Sequence, residues 1–86
     1  MIEYVSFHKV PKVDSLIGYC SFKFNKDFSF TEIAVHKLKI PKNNIRIRLR
    51  YPERCAPSKE TQTLIDEEVN AYILANYREI FDENAN

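Results

Sequence analysis

The sequence has few of the residues that interrupt regular structure, with one glycine and four prolines among 86 residues. This composition leaves little room for long loops and favours nearly continuous strands and helices. A glycine-rich phosphate-binding loop needs several glycines close together. The single glycine, Gly18, therefore excludes that class of nucleotide site.

Long apolar runs are also missing, since no stretch approaches the roughly 20 apolar residues that a transmembrane helix needs. The N-terminal segment MIEYVSFHKV lacks a basic cluster followed by a hydrophobic stretch, so no signal peptide is indicated. Two cysteines, Cys20 and Cys55, do not make the disulfide framework of a small secreted protein. These absences predict a reduced, cytoplasmic protein without a membrane segment.

Motifs for catalysis and metal binding are equally scarce. His8, His36, Cys20 and Cys55 are zinc-compatible side chains, but none forms a close pair such as C-x₂-C. Neither histidine belongs to a recognisable nucleophile motif. We therefore expect no enzyme activity, no metal, no other cofactor and no small-molecule substrate. For Cys20, between Tyr19 and Ser21, the expected role is that of a small buried apolar side chain.

The composition is that of a globular protein, with 44% hydrophobic and 29% charged residues. The length allows one domain, residues 1–86, with a single core. A domain of this size buries only about 60% of the surface of its unfolded chain, so a second copy would add useful buried area. We therefore expect a homodimer.

Four segments carry strand patterns rich in β-branched and aromatic residues. They are IEYVSFHKV (2–10), LIGYCSFKF (16–24), FSFTEIAVHKLKI (28–40) and IRIRLRY (45–51). The intervening segments PKVDS, NKD and PKNN contain turn-forming residues. Pro52 follows the fourth strand and ends it, because proline cannot donate to a sheet ladder.

The segment NKD joins the second and third strands and predicts a hairpin. Pairing about this turn places Phe24 opposite Phe28, and Phe22 opposite Phe30. Directly opposed aromatic side chains stabilise an antiparallel pair. Two aromatic cross-strand pairs are therefore expected next to the turn.

The alternation of apolar residues in the third strand shifts by one position along its length. The apolar residues Phe28 and Phe30 occupy even-numbered positions, whereas Ile33 and Val35 occupy odd-numbered positions. Because side chains alternate between the two faces of a sheet, these four could not share a face in a regular strand. One extra residue near Thr31–Glu32, a β-bulge, would bring them to the same side.

The remaining segment, roughly Thr61 to Phe81, predicts one amphipathic helix. Its apolar residues recur at spacings of three, four and seven: Ile65, Val69, Tyr72, Ile73 and Ile80. Thr63, three residues before Asp66, resembles a helix start, and the acids from Asp66 to Glu68 would then occupy the first turn. Residues 82–86 do not continue the apolar stripe, so a frayed tail is expected there.

The order of these elements predicts an α+β fold. A four-stranded, largely antiparallel sheet is followed by one long C-terminal amphipathic helix that packs on one face. The opposite face of the sheet must then be solvated or bound to a partner.

Arginine occupies every second position of the fourth strand, at Arg46, Arg48 and Arg50, which we call the arginine row. Alternate side chains of a strand share a face and stand about 6.6 Å apart, close to the separation of successive phosphates. The guanidinium fork suits phosphate oxygens or a guanine edge. Further basic residues precede and follow the row: Lys37, Lys39, Lys42, Arg54 and Lys59. The row also fits a solvent-facing strand edge that deters aggregation.

Charge is unevenly distributed along the chain. Residues 1–54 hold eleven basic and five acidic residues, a net charge of +6, whereas residues 55–86 hold two basic and seven acidic residues, a net charge of −5. Such asymmetry is typical of a protein with one part that faces nucleic acid. Mutual attraction between the two halves of the fold explains it equally well.

These segments together resemble the SpoVG family of small bacterial regulators. CSFKFNKDFSFTEIAVHKL is similar to the family's central hairpin, with Phe28, Glu32, Ile33 and Val35 at the positions of its F-x-x-x-[DE]-I-x-V strand. RYPER is similar to the family's strand end, and the helix IDEEVNAYILANY has the expected apolar spacing. The resemblance runs over residues 1 to 80.

The resemblance implies a dimer of α+β subunits, from a bacterium or a phage, that regulates gene expression. Members of the family bind DNA, and some bind RNA, so DNA is the first expectation. The family's binding positions are basic residues around and after the proline turn, which correspond by position to Arg54 and Lys59. The arginine row is a feature of this chain itself.

Two other functions remain open on the same residues. The basic face could bind an acidic protein instead of nucleic acid, since no base-reading motif such as a helix-turn-helix is present. Alternatively, the basic strand of one subunit could meet the acidic helix of another, which would make the charge asymmetry a means of assembly.

Overall fold

The computed structural model describes residues 2–26 and 28–82, with the backbone alone for Asp82. An antiparallel sheet in the order β1-β2-β3-β4 is followed by helices, which confirms the predicted α+β fold. No helix in the described part is long and apolar enough to cross a membrane. The elements are β1 (Glu3–Val13), β2 (Leu16–Asn25), β3 (Phe28–Lys42), β4 (Ile45–Arg50), a 3₁₀ turn (Glu53–Cys55), α1 (Lys59–Asn76) and α2 (Glu79–Asp82).

Strand β1 is longer than the sequence predicted. It continues through Pro11 to Val13, and only Asp14 and Ser15 form the turn. Proline is tolerated here because β1 is an edge strand, with a neighbouring strand on one side only. Asp14 has a φ of 54°, a left-handed conformation that short polar side chains accept in tight turns.

The predicted hairpin between β2 and β3 is present, but its register differs by one residue near the turn. Phe22 lies opposite Phe30, as expected, with ring centroids 5.3 Å apart. The expected pairing of Phe24 with Phe28 is wrong, because Asn25 takes the position opposite Phe28. Phe24 is left as an extra residue and instead lies 6.5 Å from the Phe30 ring. The turn residue Asp27 lies outside the described residues.

The bulge predicted near Thr31–Glu32 is confirmed. Cys20 lies opposite Ile33 and Phe22 opposite Phe30, so one residue of β2 faces two residues of β3. Glu32 has a φ of 54°, and its amide donates to Ser21 Oγ at 3.0 Å. The bulge brings Phe30, Ile33 and Val35 into the core, whereas Phe28 stays 41% exposed.

A tight turn at Asn43 and Asn44 joins β3 to β4. Both asparagines have positive φ, 52° and 67°. Two-residue hairpin turns with this backbone match the twist of the flanking strands, and asparagine adopts it more readily than most residues. Of the predicted PKNN turn, only the two asparagines form the turn, because β3 continues through Pro41 to Lys42; β4 begins at Ile45.

The start of α1 differs from the prediction. The helix begins at Lys59, and Ser58 is its N-cap, with Oγ accepting from the Thr61 amide at 3.2 Å. Thr63 Oγ1 donates to the Lys59 carbonyl within the helix, and Asp66 lies two turns inside it. The predicted start at Thr63 is wrong because the Thr63–Asp66 spacing imitates a cap pair within the body of the helix.

The helix is also interrupted before its predicted end. Regular α1 stops at Asn76, and a separate short helix follows from Glu79. Tyr77 lies at the break; its hydroxyl donates to the Phe7 carbonyl at 3.0 Å and its ring packs edge-on against the Phe7 ring at 5.0 Å. This contact attaches the end of α1 to β1. Of the predicted frayed tail, only the backbone of Asp82 belongs to the described residues.

The core lies between one face of the sheet and the helices. Its buried apolar residues include Phe7, Ile17, Cys20, Phe22, Phe30, Ile33, Val35, Ile47, Leu49, Ile65, Val69, Ile73, Ile80 and Phe81. Gly18 is required where β2 passes beneath the Phe7 ring, since a Cβ there would lie 2.5 Å from Phe7 Cζ. We call the other side of the sheet the open face.

Asn70 of α1 forms hydrogen bonds with the backbone at the outer edge of β4. It is a buried polar residue, with Oδ1 accepting from the Arg46 amide at 2.8 Å and Nδ2 donating to the Asn44 carbonyl at 3.2 Å. These two backbone groups would otherwise be unpaired at the end of an edge strand. One side chain therefore fixes the strand that carries the arginine row to the helix beneath it.

Candidate nucleic-acid interface

Strand β4 places the arginine row in solvent. Ile47 and Leu49 are buried, whereas Arg46, Arg48 and Arg50 are exposed, as the alternation of the sequence predicts. Within residues 2–26 and 28–82, no described carboxylate lies within 4.0 Å of a guanidinium nitrogen of these three. The row therefore carries positive charge that the subunit's own described acids do not neutralise by direct pairing.

Cross-strand partners show which side of the sheet the row occupies. Arg50 lies opposite Ala34 and Arg48 lies opposite His36, two residues of β3 that alternate with buried Val35. Directly opposed residues of an antiparallel pair point to the same face. Arg48 and Arg50 thus stand on the open face, next to Ala34 and His36.

Arg46 has a different environment from the other two arginines. Its guanidinium carbon lies 5.6 Å from the centroid of the Phe81 ring, which belongs to α2. A guanidinium over an aromatic face is held by a cation–π interaction. Two arginines of the row are therefore available on the open face, and the third is engaged by the helix layer.

Lys39 and Lys42 of β3 and Lys59 of α1 line grooves that Arg48 also lines. A groove of about 640 Å³ is lined by His36, Lys39, Arg48 and Arg50, among others, which is ample for a nucleotide-sized group. A second groove is lined by Lys42, Arg48 and Lys59. Arg48 belongs to both, so it is the centre of the basic surface that we call the basic edge: Lys39, Lys42, Arg48, Arg50 and Lys59.

Besides Arg46, two of the predicted site residues do not belong to the basic edge. Lys37 lies opposite buried Ile47, and its Nζ donates to the Ile80 carbonyl of α2 at 3.1 Å. Lys37 thus contributes to the lining of the first groove, but its ammonium group is bound on the helix side of the sheet. Arg54 is exposed in the 3₁₀ turn, but it lines neither groove around Arg48.

Acidic residues also line the two grooves: Glu53 lines the first, and Asp66 lines the second. Asp66 accepts a hydrogen bond of 2.8 Å from the Tyr51 hydroxyl. Burial raises the pKa of the Asp66 carboxyl from 3.8 to about 6, while the Tyr51 hydrogen bond and the Arg48 charge act in the opposite direction. Burial and the adjacent Asp66 raise the pKa of the Tyr51 hydroxyl, which therefore remains the donor. The second groove thus contains one carboxylate that loses its charge in mild acid.

Two residues of the open face were not among the predicted site residues. Tyr19 lies opposite Ala34, and His36 accompanies Arg48, with His36 Nδ1 2.8 Å from Ser15 Oγ. The alternation of β2 contained the signal for Tyr19, since it precedes buried Cys20. His36 likewise follows buried Val35.

The cysteine and histidine side chains considered for catalysis or metal binding lie in separate environments. Burial, followed by the charges of Asp66 and Glu32, raises the pKa of the Cys20 thiol to about 12, which keeps the thiol protonated. His8 Nε2 lies 3.6 Å from Glu32 Oε2 on the surface. Within the described part of the chain, no group of three His, Cys, Asp or Glu side chains could hold a metal ion.

Comparisons with known proteins returned no relative: no family model, no curated protein and no solved structure matches this chain.

Proposed function

We propose that this chain is a nucleic-acid-binding regulatory protein that contacts phosphates through the basic edge. The observation that carries the proposal is the position of Arg48 and Arg50, exposed on the open face and without a described carboxylate partner. Lys39, Lys42 and Lys59 line the grooves around them. DNA is the first expectation and RNA the second, and membership of a SpoVG-like family belongs to the same proposal.

Electrostatics explains why this arrangement favours a polyanion. Arg48 and Arg50 are two residues apart in a strand, so their side chains stand about 6.6 Å apart, near the spacing of successive phosphates. Each guanidinium can form two parallel hydrogen bonds to phosphate oxygens. Binding would release the counterions that are condensed on the nucleic acid, so affinity should fall steeply with salt.

A fluorescence-polarisation titration tests the proposal. Labelled single- and double-stranded DNA and RNA are titrated with protein at about 50 and about 200 mM salt. The double variant Arg48→Ser, Arg50→Ser should lower the affinity for the preferred nucleic acid at least tenfold at low salt and reduce the salt slope by about 2, one for each lost phosphate contact.

A matched variant controls for the loss of two positive charges. Lys26→Ser with Arg78→Ser removes the same charge from the β2–β3 turn and from the segment between the helices, both outside the basic edge. This variant should bind within about twofold of the wild type, since long-range charge effects are screened beyond about 10 Å. Equal losses in the two double variants would show that net charge, and not the basic edge, determines binding.

The proposal includes a homodimer. The small core and the position of β1 at one edge of the sheet, without a neighbouring strand on its outer side, both favour association with a second copy. Sedimentation velocity should give the mass of a dimer at low and at high salt. A dimer that dissociates as salt rises would instead support contact between the basic edge of one subunit and the acidic helix of another.

A second function is favoured by one apolar side chain. Ile40 is 82% exposed, between Lys39 and Pro41 near the end of β3. An exposed isoleucine beside lysines fits a protein partner with an acidic, partly apolar surface. A pull-down that recovers a nuclease-resistant protein partner, lost on Ile40→Ser and retained by the Arg48, Arg50 double variant, would favour this function.

A further inference from the structure

The open face has an aromatic half beside its basic half. His8, Tyr19, Ala34 and Arg50 are direct partners on four successive strands, and they form one row across the sheet. The rings of His8 and Tyr19 are packed with centroids 5.7 Å apart and planes inclined by 32°. Ala34 has the smallest side chain of these four residues, which leaves a shallow depression in the open face between the Tyr19 ring and the Arg50 guanidinium.

Charge divides this face in the same way. The carboxylate of Glu32 lies beside His8, 3.6 Å from its Nε2, at the side of β1 and β2. Lys23 of β2, which alternates with buried Phe22, adds a positive charge to this side. A phosphate is therefore attracted most strongly at the opposite side, by Arg48 and Arg50, which have no described carboxylate partner. A bound strand therefore has its backbone along β4 and its bases directed toward β2 and β1.

The distances across the sheet suit a nucleotide in that orientation. Neighbouring strands are about 4.8 Å apart, so Tyr19 on β2 and Arg50 on β4 are separated by about 10 Å. Tyr19 is only partly buried, and its hydroxyl has no hydrogen-bond partner among the described residues. The face of this ring can therefore stack on a base while the hydroxyl, in the plane of the ring, donates to a sugar or phosphate oxygen of the same strand.

The overall shape disfavours insertion into a duplex. The major groove of DNA, about 12 Å wide, admits a helix or a two-stranded ribbon, whereas four strands span about 14 Å between the outer two. The exposed side of α1 carries Glu60 and Glu67, whose charges repel a phosphate backbone. In a duplex the faces of the bases are covered by their neighbours, so a ring on a sheet cannot stack on them.

We propose that the open face binds single-stranded nucleic acid, with a base stacked on Tyr19 beside His8 and the adjoining phosphates on Arg48 and Arg50. This inference rests on the proposed function and adds to it the class of nucleic acid and the residues that hold the base. Stacking on an aromatic side chain accepts every base, so binding shows little sequence preference.

Two variants of the full chain, compared with the Arg48, Arg50 double variant, test the inference by fluorescence polarisation. Tyr19→Phe keeps the ring, and Tyr19→Thr removes it but retains a residue that favours strands. The probes are oligothymidylate and oligouridylate of about 12 nucleotides and a DNA duplex of the same length, since single-strand sites span about 4–16 nucleotides. Thermal unfolding followed by circular dichroism verifies that each variant is folded.

We expect the single strands to bind at least tenfold more tightly than the duplex. Tyr19→Thr should weaken single-strand binding about tenfold or more, because one stacked base is lost, and should leave duplex binding unchanged. Tyr19→Phe should bind like the wild type. The salt slope should be the same for Tyr19→Thr and wild type, since no phosphate contact is removed, whereas the Arg48, Arg50 double variant lowers it.

His8 provides a second test if Tyr19→Thr does not fold. It lies on the edge strand with 58% of its side chain exposed, so replacement there is tolerated. His8→Ser should weaken single-strand binding about threefold, a smaller effect than for a principal stacking residue, and His8→Phe should retain it.

Three results would overturn the inference in distinguishable ways. Equal affinity for duplex and single strand, or single-strand binding that is unchanged in both Tyr19→Thr and His8→Ser, rejects base stacking and leaves the basic edge as a phosphate site. No measurable binding of any probe at low salt rejects the proposed function together with this inference.

Discussion

The two faces of the sheet are made from the same strands and have opposite chemistry. On the covered face, Val35 and Leu49 are buried against the helices; on the open face, their chain neighbours His36 and Arg48 line a basic groove. The difference follows from the period of two along a strand. Within β4, adjacent residues therefore have different roles: one side chain packs in the core, and the next is exposed and available for binding.

The largest expected effect comes from the covered face. Ile47 is 1% exposed and lies between Arg46 and Arg48 in the chain. Ile47→Ala should lower the free energy of unfolding by about 2–5 kcal/mol, because a buried cavity is created. Urea denaturation followed by circular dichroism measures this change.

Arg48, which follows Ile47 in the chain, provides the matched comparison for this loss of stability. Arg48→Ser should change the free energy of unfolding by no more than about 0.5 kcal/mol, since the side chain is exposed, while weakening nucleic-acid binding. Comparable destabilisation by the two substitutions would contradict the division of β4 into a structural and a binding face.

The next effect concerns the hydrogen bonds by which Asn70 links α1 to β4. Asn70→Ala leaves the Arg46 amide and the Asn44 carbonyl without their side-chain partner. The expected loss is about 2 kcal/mol in the free energy of unfolding. Hydrogen exchange measured by NMR should show the Arg46 amide exchanging faster than the amides of β2, and unchanged protection of Arg46 would contradict this role.

The smallest effect is a dependence on pH from Asp66. Its folded pKa of about 6 lies above its ordinary 3.8, so the folded state binds the extra proton between these values. The contribution to stability is therefore full below about pH 4 and is lost as pH rises through about 6. Because the side chain is partly exposed, we expect about 1–2 kcal/mol, roughly half of what the full shift would give.

Asp66→Asn isolates this contribution. The amide retains an oxygen to accept from the Tyr51 hydroxyl but carries no charge at any pH. The variant should be more stable than the wild type by about 1–2 kcal/mol at pH 7, and the gap should close toward pH 4. Denaturation at several pH values measures the gap; a constant gap would contradict the assignment of the raised pKa to Asp66.

Much of the fold could be predicted from local pattern. The four strands, the asparagine turn before β4 and the bulge at Thr31–Glu32 follow from alternation and turn chemistry, and the structure contains all of them. The pairing of Phe24 could not be predicted, because a second irregularity next to the hairpin turn shifts the register there. The start of α1 was misplaced because Thr63–Asp66 has the same spacing as a cap pair.

The candidate site was predictable in part. The alternation of apolar and basic residues in β4 correctly predicted that the arginine row is exposed. The same rule, applied to β3, would have predicted that Lys37 shares the covered face with Ile33 and Val35. The approach of Lys59 to Lys42 and Arg48 depends on how α1 returns along β4, which no local pattern specifies. The contact of Arg46 with Phe81 is likewise a tertiary effect.

NMR titration of the isotope-labelled chain with oligothymidylate at low salt tests most directly which face binds. The account predicts that amide shift changes concentrate at Tyr19, Ala34, His36, Arg48 and Arg50, with small changes along α1 beyond Lys59. Shift changes centred on the exposed side of α1, or confined to the β1 edge, would contradict it.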